Sequence, residues 1–300
     1  MYDLIVIGGG PAGLTAAIYA IRKRLNVLMI SRDLGGKTNY RLALPWIEEY
    51  QVIRGLETVA RFRNELEYLD FARSMEKVEH IRRENSHFVV ETKEGEDKST
   101  RAIIIATGAR QARLKVPGEE KYMMRGLCYS AISYAPLFID RTTTVIGNAD
   151  LALRSAAELA LVARQVNLVG PPSYALESGL GKKLLNSEHV TIYQDYELVQ
   201  VNGGKFAESV VIQSPNGELK EIPSDGAFIE MRLLPNSYMV EGLVNLDAQG
   251  RIIIDCQNRT STPGIFAAGD VTNTTEQVLV AIGEGAKAAL SAYEYLLPML

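Results

Sequence analysis

Short apolar runs that end in glycine alternate along this chain with stretches of helical spacing. Asp3–Gly8 is the first such run, and it predicts a buried parallel strand. Ala12–Arg24 has helical spacing and a basic last turn, which suits the negative end of a helix dipole. A second apolar run, Asn26–Ser31, completes a predicted β-α-β unit.

The same pattern starts again near the middle of the chain. Thr143–Gly147 predicts a strand, Asp150–Ala163 a helix and Gln165–Gly170 another strand. We therefore predict an α/β protein with two Rossmann-like doubly wound domains, the second inserted into the first. The other predicted elements are strands over His87–Glu91, Arg101–Ala106, Val190–Tyr193, Val210–Gln213, Ala227–Met231, Arg251–Asp255 and Gly264–Ala268, a turn at Pro215–Gly217, and helices over Arg61–Tyr68 and Glu276–Leu296.

A break in the pattern around Arg113–Glu120 indicates where the inserted domain begins. Pro117 and Gly118 interrupt the apolar periodicity there, together with several charges. The apolar C-terminal helix needs a partner, for which the first domain is the candidate. We predict that residues 1–114 and 243–300 form a discontinuous first domain, and that residues 115–242 form the second.

Charge and composition exclude several classes of partner. The chain has 32 Lys and Arg against 36 Asp and Glu, a net charge of −4, so no basic field exists to hold nucleic acid or an anionic membrane. No apolar run approaches the ~18 residues of a membrane span. Met1–Asp3 leads into a strand without a basic signal region, and two cysteines cannot make a disulfide scaffold, so we expect a cytoplasmic protein. The scattered histidines lack metal-ligand spacing, and no metal is expected.

Gly8–Gly13 fits the pattern G-x-G-x-x-G between a predicted strand and a predicted helix. The first glycine permits the tight turn, the second lets the backbone approach a pyrophosphate, and the third lets helix pack on strand. The helix N-terminus supplies N–H groups for the phosphates. The acidic residue expected after the second strand is missing, because Ser31 stands there, followed by Arg32.

Four motifs resemble the bacterial low-molecular-weight thioredoxin reductases, and the flavoprotein component of alkyl hydroperoxide reductase is similar too. They are Gly8–Ala20, Gly35–Thr38, Ala106–Gly108 and Thr262–Asp270, and they cover the chain in the right order. The resemblance implies bound FAD. The residues that it implies at the cofactor, together with their neighbours, are Gly8, Gly10, Pro11, Ala12, Gly13, Ser31, Arg32, Gly36, Lys37, Val78, Ala106, Thr107, Gly108, Gly269, Asp270, Gln277 and Val278.

Two of the positions implied at the flavin depart from the family. Lys37 replaces the Gln of a Gly-Gly-Gln segment, and Glu276 replaces the Arg of an Arg-Gln pair. The resemblance also implies that Asp270 holds the ribityl chain, and we expect it to cap a helix that starts near Thr275. Gly283 and Gly285, each costing ~1 kcal/mol within that helix, indicate close backbone approach.

The redox dithiol of the reductases is absent from this chain. Its two positions align with Ser130 and Ser133, and serine has no disulfide couple. Cys128 is interpreted as a small buried residue, with a lone reactive thiol as the alternative. We expect Cys256 to lie on a strand and point into packing. A disulfide relay is therefore not expected.

The second nucleotide fold also departs from the family pattern. Its Gly-x-Gly-x-x-Ala appears as Gly147–Ala152, in which Ala149 adds a methyl group and Asp150 a negative charge. The clamp for a 2′-phosphate aligns with Gly170–Pro172, which carries no cation, and an Ala-Ile-Gly turn appears as Glu230–Arg232. We expect the NADPH site to be lost, with an unusual but working NAD(P)H site as the alternative.

The function that the sequence favours is an FAD-dependent oxidoreductase of thioredoxin reductase fold, reduced by a protein donor such as ferredoxin or flavodoxin. One alternative is a ferredoxin/flavodoxin–NADP reductase-like enzyme, which needs no dithiol. Another is a non-catalytic flavin-binding or second-nucleotide-binding protein, with Arg232 as a phosphate contact. By resemblance we also expect a homodimer.

Overall fold

A computed structural model describes residues 1–50, 55–93 and 95–300 of the chain. The strands are β1 Tyr2–Ile7, β2 Val27–Ile30, β3 Leu42–Leu44, β4 Ile47–Tyr50, β5 Arg73–Ser74, β6 Val78–Glu84, β7 His87–Thr92, β8 Lys98–Ile105, β9 Ala109–Gln111, β10 Leu127–Cys128, β11 Thr142–Ile146, β12 Gln165–Val169, β13 Val190–Tyr193, β14 Glu197–Gly203, β15 Ala207–Gln213, β16 Leu219–Pro223, β17 Gly226–Ile229, β18 Leu233–Pro235 and β19 Ile265–Ala267. The α-helices are α1 Pro11–Arg22, α2 Leu56–Tyr68, α3 Glu119–Tyr122, α4 Ala131–Tyr134, α5 Asp150–Leu159, α6 Ser173–Leu176, α7 Gly179–Leu185 and α8 Val278–Leu296.

The chain divides into two compact units, the first of which is discontinuous. The first unit comprises Met1–Asn39, Ile53–Arg110 and Leu234–Leu300, and the second comprises Tyr40–Val52 and Gln111–Leu233. The described part of Tyr40–Val52 goes with the second unit, whereas the sequence analysis assigned it to the first domain. The cofactor that each predicted domain binds stays a prediction.

The first unit is built on a sheet in the order β5-β2-β1-β8, with β19 parallel to the C-terminal half of β8 and β7 antiparallel to its N-terminal half. Its central strands are buried on both faces. Leu4 and Val6 contribute to a core with α1, α2 and α8, while Ile5 and Ile7 contribute to a core on the opposite face. This double burial explains the unbroken apolar run Leu4–Ile7 within β1, because neither face of this part needs polar residues.

The second unit has a parallel sheet in the order β10-β17-β11-β12-β13 and an antiparallel sheet of β14, β15 and β16. One face of the parallel sheet packs against α4, α5 and α7, and the other face packs toward the antiparallel sheet. The turn predicted at Pro215–Gly217 connects β15 to β16. Both predicted β-α-β units are thus present with parallel strands, and the predicted α/β fold class is confirmed.

Two local predictions about the C-terminal segment are wrong, and the start of one predicted helix is shifted. Arg251–Asp255 is not a strand, because only Ile252 makes bridge contacts there, and the Asp255 carboxylate turns the chain by accepting the N–H groups of Gln257 and Arg259. Cys256 is exposed in that turn instead of packed. The last helix begins at Val278, two residues after the predicted start.

No helix within residues 1–50, 55–93 and 95–300 is both long enough and apolar enough to cross a membrane.

Candidate functional site

The glycine loop between β1 and α1 is packed tightly on three sides and open on one. A Cβ atom on Gly8 would lie 2.3 Å from the Ala106 carbonyl oxygen, and one on Gly13 would lie 1.8 Å from that of Gly8. A Cβ on Gly9 would lie 2.1 Å from the carbonyl oxygen of Asp33. Gly10 differs, since a Cβ there would meet nothing within 4 Å among the described residues. The bare face of Gly10 is therefore where a ligand can approach the backbone.

Helix α1 presents its N-terminus to this open face. Pro11 is its first residue, no side chain of the described residues caps it, and its first turn contains no acidic residue. Its free N–H groups and positive dipole end favour an anion such as a phosphate group.

The loop after β2 lies against the glycine loop. The Ser31 hydroxyl donates to the Asp33 carbonyl oxygen at 2.6 Å, and the Gly36 N–H donates to the Asp33 carboxylate at 2.8 Å. Arg32 is exposed. A Cβ on Gly36 would lie only 3.2 Å from the Gly10 Cα, so this loop reaches the open face of the glycine loop.

The turn after β8 is held by hydrogen bonds to Asn236, which is 129 positions away along the chain. The Thr107 hydroxyl donates to the Asn236 carbonyl oxygen at 2.7 Å, and the Asn236 side-chain amide donates to the Thr107 carbonyl oxygen at 3.0 Å. Gly108 has a φ of +65°, and a Cβ there would meet nothing within 4 Å of the described residues. This turn therefore offers a second bare stretch of backbone beside Ala106, at the carboxyl edge of the sheet.

Asp270 follows β19 at the same edge, but it caps no helix, because α8 begins eight positions later. The predicted cap at Asp270 is wrong, and so is the helix start near Thr275. The Asp270 carboxylate instead contacts the Lys37 ammonium at 2.5 Å, and its side chain is only 17% exposed. Glu276 is half-buried nearby, and its pKa is raised by burial first and by the charge of Asp270 second.

Glu284, which was not among the residues predicted from the sequence, holds the turn before Asp270. This buried carboxylate on α8 accepts the Gly269 N–H at 2.7 Å. Its signal in the sequence is a charged residue at an apolar position of α8, beside Gly285. A Cβ on Gly285 would lie 2.1 Å from the Ala12 carbonyl oxygen, so the predicted close approach is confirmed there. The prediction is wrong for Gly283, where a Cβ would meet nothing within 4 Å of the described residues.

The remaining predicted site residues lie at element ends. Gln277 is exposed and immediately precedes Val278, the first residue of α8. Val78 begins β6, is buried in the core, and accepts the Tyr238 hydroxyl at its carbonyl oxygen at 2.7 Å. The structure thus brings the glycine loop, the Gly36–Lys37 segment and Asp270 together, and it places the Val78 side chain in packing.

The corresponding loop of the second unit retains one glycine that close packing requires. Helix α5, which follows this loop, begins with an acidic residue. A Cβ on Gly147 would lie 2.4 Å from the Glu230 carbonyl oxygen, so this glycine is needed for packing. Asp150 is the first residue of α5 and is exposed, as is Ala149 before it. The Asp150 carboxylate occupies the helix end that would otherwise attract a phosphate.

Ser130 and Ser133 lie side by side at the start of α4. Their hydroxyl oxygens are 2.9 Å apart, and Ser130 has a left-handed φ of 66°. Cys128 is fully buried in β10, and burial raises the pKa of its thiol well above the usual value, with a further contribution from Glu230. The interpretation of Cys128 as a buried packing residue agrees with this placement.

Glu230 is a second buried carboxyl group; the sequence indicated it only as part of an altered turn, and not as a buried charge. It follows β17, and one of its carboxyl oxygens accepts the Ala131 N–H at 2.5 Å. Burial raises its pKa to about 7, although the bond from Ala131 opposes the shift. Glu230 therefore fixes the first residue of α4 from another element of the unit. Among the described residues, no cluster of His, Cys, Asp and Glu could hold a metal ion.

The chain belongs to the pyridine nucleotide-disulphide oxidoreductase family, whose model matches residues 2–285. Within that family its fold is that of the thioredoxin reductases. The thioredoxin reductase of Streptococcus pyogenes MGAS5005 aligns with a TM-score of 0.85 and 31% identity, over 99% of this chain and 98% of that one. The thioredoxin reductase of Giardia duodenalis aligns with a TM-score of 0.85 and 27% identity, over 98% of each chain. The resemblance found in the sequence is confirmed.

The curated relatives are longer proteins. An alkyl hydroperoxide reductase component of Pseudomonas aeruginosa is 34% identical over 306 residues, which cover 99% of this chain and 58% of the relative. An NADH dehydrogenase of Bacillus subtilis is 28% identical over 300 residues, which cover 99% of this chain and 59% of the relative. The chain therefore spans somewhat less than three fifths of the length of these relatives.

Proposed function

We propose that the first unit binds FAD and that the chain is an FAD-dependent oxidoreductase without a redox dithiol. The observation that carries this proposal is the open face of Gly10 beside the uncapped N-terminus of α1. That cradle fits a pyrophosphate, and the bare Gly108 backbone and the Asp270 carboxylate lie at the same sheet edge. Bound FAD would supply one- and two-electron transfer.

The chain's own residues would bind and orient the cofactor. The N–H groups at the start of α1 would hold the pyrophosphate, and Ser31 and Arg32 after β2 would contact the adenosine ribose. Asp270 would accept hydroxyl groups of the ribityl chain. Glu284 supports Asp270 indirectly, because it fixes the preceding Gly269 N–H.

We assign the electron donor to a protein such as ferredoxin or flavodoxin. The support is electrostatic: the loop of the second unit carries Asp150 where a nucleotide phosphate would lie, and Gly170–Pro172 offers no cation for a 2′-phosphate. The second candidate is a ferredoxin/flavodoxin–NADP reductase-like enzyme. It is favoured by Gly147, which keeps the tight turn of a nucleotide-binding β-α-β unit.

The third candidate is a flavin-binding or second-nucleotide-binding protein without catalysis.

A homodimer is also part of the proposal, supported by the exposed apolar side chains of Leu279, Val280 and Leu290 on α8. Light scattering at micromolar concentration tests the assembly, and a monomeric mass would count against it.

Cofactor binding is tested with two matched glycine variants. Gly10→Val fills the open face of the cradle, while Gly179→Val places the same side chain in open space at the start of α7 in the second unit. We expect wild type and Gly179→Val to carry about one FAD per chain, and Gly10→Val to carry little while unfolding at a similar temperature. A colourless wild-type protein that takes up no added FAD would refute the proposal.

The donor is tested by anaerobic titration of the bound flavin. Bleaching by reduced ferredoxin but not by NADPH or NADH supports a protein donor. Bleaching by NADPH favours the second candidate. Bleaching by dithionite alone favours the third.

A further inference from the structure

An ion pair bridges two loops across the carboxyl edge of the first sheet. The Lys37 ammonium lies 2.5 Å from the Asp270 carboxylate. The residue that precedes each end of this bridge lies against the glycine loop. Gly36 approaches Gly10, as described above, and a Cβ on Gly269 would lie 3.0 Å from the Ala12 Cβ. Any ligand in the cradle of Gly10 is therefore a neighbour of this ion pair.

Glu276 adds a third charge to this group, which we call the edge triad: Lys37, Asp270 and Glu276. Glu276 is partly buried six positions after Asp270. The charge of Asp270 raises the pKa of Glu276, and the charge of Lys37 lowers it. Arg251 is the other cation that acts on Glu276, and it is already engaged with Asp247 at 2.7 Å. When all three members are ionised, the edge triad carries one positive and two negative charges.

The order of the strands decides which half of a dinucleotide meets the edge triad. The adenosine ribose of a Rossmann site lies after the second strand, here at Ser31 beyond β2. Because the pyrophosphate lies at α1, the other half of the ligand extends away from β2, toward the ends of β8 and β19. Asp270 follows β19, so the edge triad lies on the side of the flavin half.

We propose that Lys37 and Glu276 act as opposing charges that set the reduction potential of the bound flavin. This inference rests on the proposed FAD site. Reduction takes up two electrons and one proton and leaves the reduced ring with a negative charge at neutral pH. The Lys37 cation stabilises that charge, and the Glu276 carboxylate destabilises it. Lys37 is exposed, but Asp270 and Glu276 are partly buried, and this partial burial reduces the screening of their charges by water.

The experiment measures the midpoint potential of the bound FAD at pH 7, with electrons supplied by an electrode through mediator dyes and the proton by buffer. Lys37→Gln should disfavour the reduced form roughly tenfold, a fall of about 30 mV for a two-electron couple. Glu276→Gln should favour it by a similar factor and raise the potential. Lys37→Arg keeps the charge and should stay within about threefold of wild type.

Arg22→Gln is the matched control for removing a surface cation. Arg22 pairs with Glu65 at 2.8 Å at the last turn of α1, the end of the helix remote from the cradle, and its loss should leave the potential unchanged. Equal potentials in all variants with FAD bound, or shifts of the same sign for Lys37→Gln and Glu276→Gln, would overturn the inference. If Lys37→Gln does not retain FAD, the sign of the Glu276→Gln shift decides. A wild-type protein without FAD would refute the proposed function itself.

Discussion

At the scale of single residues, the buried carboxyl group of Glu230 links the stability of the second unit to pH. Its pKa lies near 7 in the folded chain, against a usual value of 4.5, because burial disfavours the charged form. The folded state therefore binds a proton more tightly than the unfolded chain does. The free energy of unfolding is greatest at pH values below the usual pKa of 4.5. It falls as the pH rises to about 7 and levels off at higher pH.

We predict that Glu230→Gln removes most of this pH dependence. An amide keeps an oxygen for the Ala131 N–H but cannot ionise. Between pH 5 and pH 8, wild type should lose stability relative to the variant by on the order of 3 kcal/mol. Urea unfolding at the two pH values measures this difference. Glu158→Gln, which removes an exposed charge that acts on Glu230 only through space, is the control. Parallel pH profiles for wild type and Glu230→Gln would contradict the prediction.

At the scale of elements, the contact between α1 and α8 depends on one position of α8 at which only glycine fits. Gly285 and Gly283 lie two positions apart on α8, but only Gly285 faces the backbone of α1. Their spacing places them on different sides of the helix. The sequence shows two glycines of equal helix propensity, and only packing distinguishes them.

We predict opposite effects for alanine at these two positions. Gly285→Ala should destabilise the protein by roughly 1–3 kcal/mol, because its methyl group meets the Ala12 carbonyl oxygen and neither backbone can yield. Gly283→Ala should stabilise it by roughly 0.5–1 kcal/mol, because the methyl group enters open space and helix propensity improves. Thermal unfolding compares the two, and a lower melting temperature for Gly283→Ala would show that its surroundings are not open.

The start of α4 provides a test of whether the second unit still has the geometry for a dithiol. The hydroxyl oxygens of Ser130 and Ser133 are in contact at 2.9 Å. We predict that Ser130→Cys together with Ser133→Cys forms a disulfide in air. Thiol titration of the unfolded protein should find only the native cysteines before reduction, and additional thiols after it. The single variant Ser130→Cys is the control. Additional free thiols in the air-oxidised double variant would show that the side chains do not converge.

At the scale of the whole molecule, the nucleotide folds of the two units differ in what they offer a phosphate. The first unit has an uncapped helix N-terminus without an acidic first turn, whereas α5 of the second begins with Asp150. Gly170–Pro172 also carries no cation for a 2′-phosphate. The same supersecondary structure therefore favours an anionic ligand in one unit and opposes it in the other.

We predict that NADPH is a poor reductant of the bound flavin. Losing two charge-assisted bonds to the 2′-phosphate costs ~3–6 kcal/mol, a factor of roughly one hundred to ten thousand in affinity. Half-saturation should therefore lie in the millimolar range or above in anaerobic stopped-flow reduction. Dithionite provides the control for a reducible flavin. Fast bleaching that saturates at micromolar NADPH would instead make the NADP reductase candidate the first choice.

The local sequence pattern was enough to predict the two β-α-β units, which share one motif of strand, glycine loop and helix. The apolar runs of β1 and β2 and the glycines between strand and helix predicted the first β-α-β unit, because these strands are buried on both faces. The second unit was predicted from the same order of strand, glycine and helix, although β11 and β12 bury Thr143, Thr144 and Asn167. The strand predicted at Arg251–Asp255 failed for the opposite reason. Its three consecutive isoleucines, Ile252–Ile254, form only isolated bridges at Ile252, and the Asp247 and Asp255 carboxylates accept nearby backbone N–H groups and turn the chain.

The sequence by itself determined the fold class, the family and the glycine loop, since each depends on residues that are close along the chain. Only the tertiary structure decided that Lys37 meets Asp270, that Glu284 holds Gly269 and that Glu230 reaches Ala131. Each of these contacts joins residues from separate elements, and nothing in local spacing indicates which charged side chains will be buried together. Burial and long-range approach are properties of the packed chain, and they set the charges at the candidate site.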